Sequence, residues 1–520
     1  MSDHNVRGVT YSGMLTAAFT RFARRPAFEA DGVTLTYAAG ADLAGRMRAV
    51  LQSRGVGLGT GVAVLSPNRP EAWLTNLAIW CAGGRYTGLQ PLGSEDDHAF
   101  ICDDAGIEVL VVDPSLAERG AAILARSTTV KSLFTLGPSP AGEDILARAE
   151  AIGPAPLDAG PAGEEDIGWL QYTGGTTGRP KGVMLSHRAI VQSVFSWTIS
   201  CETPEEPRYL AASPITHAAG LLLPGTLLRG GTVLLHRTFD PERWLRAVQD
   251  DRATFALAVP TMVYALLDHG HPERYDRSSL QVVAYGASPM SPARLTEAHE
   301  RIGRVFAQLY GQTECPAGTS LLRSEHDPGR PQVLASCGQP MVGTELRLLD
   351  DGCADVGPGE VGEICLRSRA MMSGYWKRPD LTAEVIKDGW VHTKDMARRD
   401  DDGYVYIVDR KHDMIISGGF NVYPKEVEDV LTTDPDVAAA AVIGVPDDRW
   451  GEAVTAVIVA RPGAEIDPAR LIALVKEKKG SHQAPKTVEV VDSLPLTPVG
   501  KVDKKALRAR HWSGEDRAVH

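Results

Sequence analysis

Short apolar runs alternate with stretches of helical periodicity along most of this chain, the pattern of an α/β protein. The runs 62–65, 109–112, 233–235, 255–259 and 281–284 read as buried strands, and 71–81, 241–249 and 292–300 as helices. The texture changes near residue 340. There 345–349, 363–367 and 404–408 are short strands set apart by turns such as Asp350-Asp351-Gly352, which predicts a small β-rich subdomain over about 340–409. Further on, a helix at 424–431, strands at 439–445 and 454–459, a helix at 468–478 and a strand at 488–491 predict a compact α+β domain. The expected division is a large N-terminal unit at 1–409, a hinge at 410–413 and a C-terminal domain at 414–520.

Length supports that division, because 520 residues exceed what one compact core holds. Hydrophobic residues make up 43% and charged residues 23%, enough apolar content for a large core. A formal net charge of −12 argues against a general nucleic-acid or anionic-membrane surface. No basic region followed by an apolar run opens the chain, so no signal peptide is expected. The most apolar stretch, 221–235, is broken by Pro224, Gly225, Arg229, Gly230 and Gly231, and reads as core or pocket wall, with no membrane insertion. Seven scattered cysteines without CxxC spacing suit reduced thiols and a cytoplasmic location.

The strongest chemical signal is the run Tyr172-Thr-Gly-Gly-Thr-Thr-Gly-Arg-Pro-Lys-Gly182. It follows an expected strand at 167–171 and precedes a helix for which Ser186 is a candidate cap. Glycines let backbone N–H groups converge on an anion, threonine hydroxyls add donors, and Lys181 adds positive charge. Together they describe a cradle for the outer phosphates of a nucleotide. It is not the GxxxxGK[ST] loop, since Gly182 follows the lysine and Pro180 precedes it.

Six further motifs follow in order: Ser213-Pro-Ile-Thr-His217, Gly286-Ala-Ser-Pro289, Tyr310-Gly-Gln-Thr-Glu314, His392-Thr-Lys-Asp395, Asp409-Arg-Lys-His-Asp-Met-Ile-Ile-Ser-Gly-Gly419 and Pro495-Leu-Thr-Pro-Val-Gly-Lys501. With the cradle they make the chain resemble, over nearly its whole length, the adenylate-forming superfamily of acyl-CoA synthetases, peptide-synthetase adenylation domains and luciferases. The resemblance implies doubly wound α/β N-terminal subdomains hinged to a mobile C-terminal domain. It also implies an ATP-dependent ligase that turns a carboxylic acid into its acyl-adenylate, releasing pyrophosphate, and passes the acyl group to a thiol. ATP, Mg²⁺ and coenzyme A are the implied cofactors.

Site residues carry over motif by motif. Thr173, Gly174, Gly175, Thr176, Thr177, Gly178 and Lys181 match the phosphate cradle. Gly286, Ala287, Ser288, Tyr310 and Gly311 match the adenine slot, although Tyr310 alone reads equally well as core. Thr313 matches an α-phosphate contact and Glu314 the Mg²⁺ ligand. Asp395 matches the acceptor of the ribose hydroxyls, Arg410 a ribose and phosphate contact, and Lys501 the lysine that touches the carboxylate and α-phosphate. His412 falls at the hinge, and Gly418 and Gly419 at the thiol channel. His217 matches the acyl pocket with Ala218, Ala219, Gly220, Gly286, Gly311 and Pro316; without the motif it reads as a core histidine and Lys501 as a solvated charge.

Three positions depart from the family pattern: Gly174 where serine is common, Lys394 where glycine usually precedes the ribose aspartate, and His412 where Asp or Lys is frequent. If position 394 requires φ > 0, its lysine is strained. Small residues and the lack of a charge for an amino group lead to the expectation of a roomy apolar pocket for a fatty, alicyclic or polycyclic acid. Coenzyme A is the expected acceptor and a carrier protein the alternative; an inactive nucleotide-binding scaffold is disfavoured by intact Lys501, Glu314 and Asp395. A monomer or homodimer is expected, and the resemblance makes Lys501 a candidate for a lysine acetyltransferase.

Overall fold

The computed structural model describes residues 8–173, 179–288, 290–410, 413–417, 420–447, 450–497 and 500–511. Two large sheets form the N-terminal unit. The first runs in the order Gly374–Tyr375, Lys181–Ser186, Ile167–Thr173, Arg85–Leu89, Gly61–Leu65, Ile107–Val112, Ser132–Thr135 and Glu143–Asp144. Its middle is parallel, and Lys181–Ser186 turns back antiparallel on Ile167–Thr173. The second runs from Gln339–Pro340 through Cys315–Leu321, Phe306–Gln312, Val282–Gly286, Phe255–Leu257, Arg208–Ala211, Thr232–Leu235 and Pro26–Ala30 to Val33–Thr36.

One apolar cluster joins the two sheets, taking Val62 and Trp169 from the first and Tyr209, Val233 and Phe255 from the second. Helix Pro70–Ala82 lies within it, opened by Pro70 at its first turn and closed by Gly83 at φ 85°. Trp73 of this helix is 2% exposed, and burying a side chain of that size contributes roughly 3 kcal/mol. The strand expected at 255–259 stops at Leu257, because Pro260 opens helix Pro260–Asp268 and holds Val259 extended.

Strands Thr344–Leu349, Gly362–Ser368, Trp390–Arg399, Ile386–Lys387 and Val405–Arg410 make the third, antiparallel sheet expected from the turn-rich stretch. The C-terminal unit is a sheet of Phe420–Val422, Ile415–Ser417, Gly451–Ala460 and Val437–Asp447, with Thr487–Val490 added in parallel. Val427 and Leu431 of helix Pro424–Leu431 and Leu471 and Val475 of helix Pro468–Lys479 close its core. This is the mixed α/β architecture, large and small domain, that the sequence predicts. Among the described residues no helix is long and apolar enough to cross a membrane.

Candidate active site

Strands Phe306–Gln312 and Cys315–Leu321 meet in a tight hairpin in which Gln312 pairs with Cys315. Thr313 and Glu314 are therefore the two loop residues, turned out of the ladder at one end of the sheet. Tyr310 and Gln312 share a strand face, two residues apart. The Tyr310 hydroxyl donates to Asp395 Oδ2 at 2.7 Å, and Gln312 Nε2 donates to the same oxygen at 2.7 Å and to Thr393 O at 2.8 Å. Burial, and then the Asp395 carboxylate, push the Tyr310 phenol well above its ordinary range, so it remains a donor. Tyr310 thus belongs to a polar constellation, and Asp395, 5% exposed, is fixed before any ligand arrives.

Lys394 adopts φ 61°, the left-handed conformation that the glycine departure anticipated. Its N–H donates to Glu363 Oε1 at 2.8 Å, and it lies in the register shift between its strand and Gly362–Ser368. The left-handed region costs a non-glycine residue about 1 kcal/mol. Arg410 pairs with Asp395 across the ladder, so the backbone sets the two side by side.

Around Lys181 and Glu314, expected to face the phosphates, the organising residue is one the motifs do not contain. Tyr375 donates from its hydroxyl to Glu314 Oε1 at 2.6 Å, and Lys181 Nζ lies 5.1 Å from the centroid of its ring. Its own N–H donates to Thr382 Oγ1 at 2.8 Å, and it pairs with Val183. Burial, and then Glu314, raise its phenol far above the ordinary value, so the proton stays on the tyrosine. Thr173 pairs with Lys181, so the two ends of the cradle are clamped together. Gly174, Gly175, Thr176, Thr177 and Gly178 lie outside the described residues, as do His412, Gly418 and Gly419.

Strand Val282–Gly286 delivers Ala287 and Ser288 to the same end of the sheet, Ala287 exposed and at φ 66°. His217 ends the loop between strand Arg208–Ala211 and helix Ala218–Leu228, its Nδ1 2.9 Å from Thr216 Oγ1. Burial, and then the Lys501 ammonium, pull its imidazole down to about 4. Lys501 therefore stands close to His217 although 284 positions separate them in the sequence. The lysine sits on a tight turn in which Thr497 N–H donates to Lys501 O and Gly500 N–H to Thr497 O. Thr261 Oγ1, at the start of helix Pro260–Asp268, donates to Gly500 O at 3.2 Å and holds that turn.

Buried Asn68, from the other sheet, fixes the His217 loop. Its Nδ2 donates to Ser213 O at 2.8 Å and His236 O at 3.1 Å, and its Oδ1 accepts from Ile215 N–H at 2.9 Å. Three of the glycines expected to widen the acyl pocket have another explanation. A Cβ on Gly220 would meet Ile215 O at 2.0 Å, on Gly286 Leu309 O at 2.1 Å, and on Gly311 Pro316 O at 2.1 Å. Backbone packing thus requires these glycines, and their size says nothing of pocket volume. Ala219 and Pro316 are buried, with Ala219 O accepting from Tyr209 and Pro316 O from Trp197, while Ala218 is half-buried.

The AMP-binding enzyme profile matches residues 15–376, and that of the AMP-binding enzyme C-terminal domain matches 426–501. The chain belongs to the AMP-binding enzyme family. It is 44% identical to the medium/long-chain-fatty-acid–CoA ligase FadD8 of Mycobacterium tuberculosis, over 100% of this chain and 93% of that protein. It is 41% identical to a feruloyl-CoA synthase of Amycolatopsis over 92% and 94% of the two chains. Its structure resembles the amide bond synthetase McbA of Marinactinospora thermotolerans with a TM-score of 0.89 at 35% identity, covering 96% and 99% of the chains. As an AMP-binding enzyme, the chain owes Lys501 to its C-terminal unit, while Glu314, Tyr375, Lys181 and Asp395 come from the N-terminal one. Gln312 was legible as the middle of a motif. Tyr375, Glu363 and Asn68 carry no local pattern; only the position of Asn68 just past a strand's carboxyl end hints at a site.

Proposed function

We propose that this AMP-forming acid–coenzyme A ligase activates an apolar carboxylic acid, a medium- or long-chain fatty acid first and bulky alicyclic or polycyclic acids next. The enzyme uses ATP, Mg²⁺ and coenzyme A. One acid oxygen attacks the α-phosphorus of ATP and pyrophosphate leaves; the coenzyme A thiol then attacks the acyl carbon and AMP leaves. The seating of the Lys501 turn on Thr261, with the lysine charge felt at His217, carries the reading, because it brings a cation toward the entrance of an apolar helix. The acid's carboxylate and the α-phosphate meet there, and Lys501 offsets the charge that develops on phosphorus.

The other roles are those the motif resemblance implies, and the geometry is compatible with them. Asp395, held by Tyr310 and Gln312, accepts the ribose hydroxyls, with Arg410 beside it. Ala287, Ser288 and the Tyr310 ring flank the adenine, and Thr313 meets the α-phosphate. The cradle between Thr173 and Lys181 takes the outer phosphates. Among the described residues no cluster of three metal-binding side chains exists. A single carboxylate suits Mg²⁺, which keeps water and phosphate oxygens in its shell, and Tyr375 occupies only one oxygen of Glu314. Glu314 would hold the ion, which supplies charge neutralisation to the triphosphate.

For the acyl chain, Ala218 and the apolar helix Ala218–Leu228 offer an uncharged wall, and the likeness to a fatty-acid ligase favours an aliphatic chain. We take 410–413 as the hinge of a mobile C-terminal domain that would bring Gly418 and Gly419 to the thiol in the second step. The described cysteines are free and mostly buried, which suits a reducing compartment. Pyrophosphate release over a panel of acids, with and without coenzyme A, tests the proposal. Release dependent on a fatty acid and ending in acyl-CoA supports it. Acyl-adenylate that accumulates whether or not coenzyme A is present points to a carrier protein as acceptor.

A further inference from the structure

Lys501 reaches the site only because the C-terminal unit is seated on the N-terminal one, so whatever fixes that seat also positions the lysine. Polar contacts across the seam include Thr261 Oγ1 with Gly500 O at 3.2 Å and Ser291 Oγ with Thr432 Oγ1 at 2.8 Å. An ionic contact joins Arg461 Nη2 to Glu297 Oε2 at 3.2 Å.

Arg461 and Glu297 are built for that contact. Arg461 follows strand Gly451–Ala460 in a tight turn; its N–H donates to Asp436 O at 2.8 Å and its carbonyl accepts from Ala464 N–H at 3.0 Å. Glu297 lies on helix Pro292–Arg301, whose own Arg294 donates to Oε2 at 2.6 Å and Arg301 to Oε1 at 3.1 Å. Arg294 is 1% exposed and also bonds Asp268, so the carboxylate is anchored to a rigid base. Burial alone would raise the Glu297 carboxyl, but Arg294, Arg461 and Arg301 outweigh it and hold it below its ordinary value. The pair is partly shielded from water, so it is screened less than an open surface bridge.

We infer that the Arg461–Glu297 pair is a latch that seats the C-terminal unit in the pose delivering Lys501, which makes Arg461 a positioning residue for the adenylation step alone. This rests on the proposed role of Lys501. Acyl transfer from a finished adenylate has no carboxylate and triphosphate to bring together, so it has no need of the lysine in that place. Weakening the latch then moves population away from the seated pose without touching any group that meets substrate.

The test measures the two half-reactions separately in Arg461→Ala and Arg461→Lys. Acid-dependent ATP–pyrophosphate exchange reads adenylation, and coenzyme A-dependent consumption of synthetic acyl-adenylate reads transfer. Arg461→Ala is expected to slow exchange about fivefold and leave transfer at or above the wild-type rate, while Arg461→Lys restores most of the exchange. Adding Glu297→Gln to Arg461→Ala is expected to lower thermal stability, because Arg294 and Arg301 lose a charged partner, but to slow exchange little further, since the latch itself cannot be lost twice. Equal loss of both half-reactions, or unchanged exchange in Arg461→Ala, overturns the latch. Wild-type protein that shows no exchange with any acid overturns the functional reading instead.

Discussion

The Tyr375 hydroxyl donates to Glu314 Oε1 at 2.6 Å while the ring of the same tyrosine faces the Lys181 ammonium at 5.1 Å. One buried side chain thereby sets the distance between the carboxylate assigned to Mg²⁺ and the lysine that closes the phosphate cradle. The backbone adds to this link, since Met372 N–H donates to Glu314 O and Trp376 N–H to Gly182 O, both at 2.8 Å.

Tyr375→Phe keeps the ring under Lys181 and removes the bond to Glu314. A hydrogen bond to a charged group contributes about 1.5–3 kcal/mol, so kcat/KM for MgATP is expected to fall on the order of tenfold or more. The apparent Mg²⁺ requirement rises and the KM for the acid stays near the wild-type value. Initial rates over a Mg²⁺ titration check this.

Asn68 holds the loop that leads to His217. Asn68→Ala leaves the carbonyls of Ser213 and His236 and the N–H of Ile215 without a partner in the core. The expected cost is about 2–3 kcal/mol of stability, with a rise in KM for the acid that exceeds any rise for ATP. Thermal unfolding and paired KM measurements read the two effects.

Five histidines, four of them buried and His217 half-buried, make stability depend on pH. His187, His217, His236, His299 and His326 are each pulled down to about 4, mainly by burial. Between about 6.5 and 4 the unfolded chain binds protons that the folded one refuses, so stability rises with pH across that window and is lost as pH falls through it. Each histidine contributes at most about 1.4 kcal/mol per pH unit there. Melting curves from pH 7 to pH 4.5 should show a falling Tm, and His299→Phe or His326→Phe a shallower decline.

Much of the fold was legible because its strands and helices keep clean periods, and helix Pro424–Leu431 falls where the pattern puts it. Strand Lys181–Ser186 was not, since Lys181 and Gly182 interrupt its apolar run and the cradle hid its pairing. At the site, a lysine standing where glycine is usual left a positive φ open, and Lys394 does adopt one. Gly220, Gly286 and Gly311 could not be read for pocket size, because a missing side chain looks the same in sequence whether a ligand or a neighbouring carbonyl fills its place. Tyr375 reaches Glu314 across 61 positions, and no local spacing encodes such a contact.

The most direct test of the account compares wild type with Lys501→Ala, supplied with a medium-chain fatty acid, in both half-reactions. Wild type should catalyse acid-dependent ATP–pyrophosphate exchange and form acyl-CoA and AMP. Lys501→Ala should lose exchange by about 10²–10³ while still passing synthetic acyl-adenylate to coenzyme A. Exchange that survives the substitution, or transfer that falls with it, would contradict the placing of Lys501 at the heart of the adenylation step.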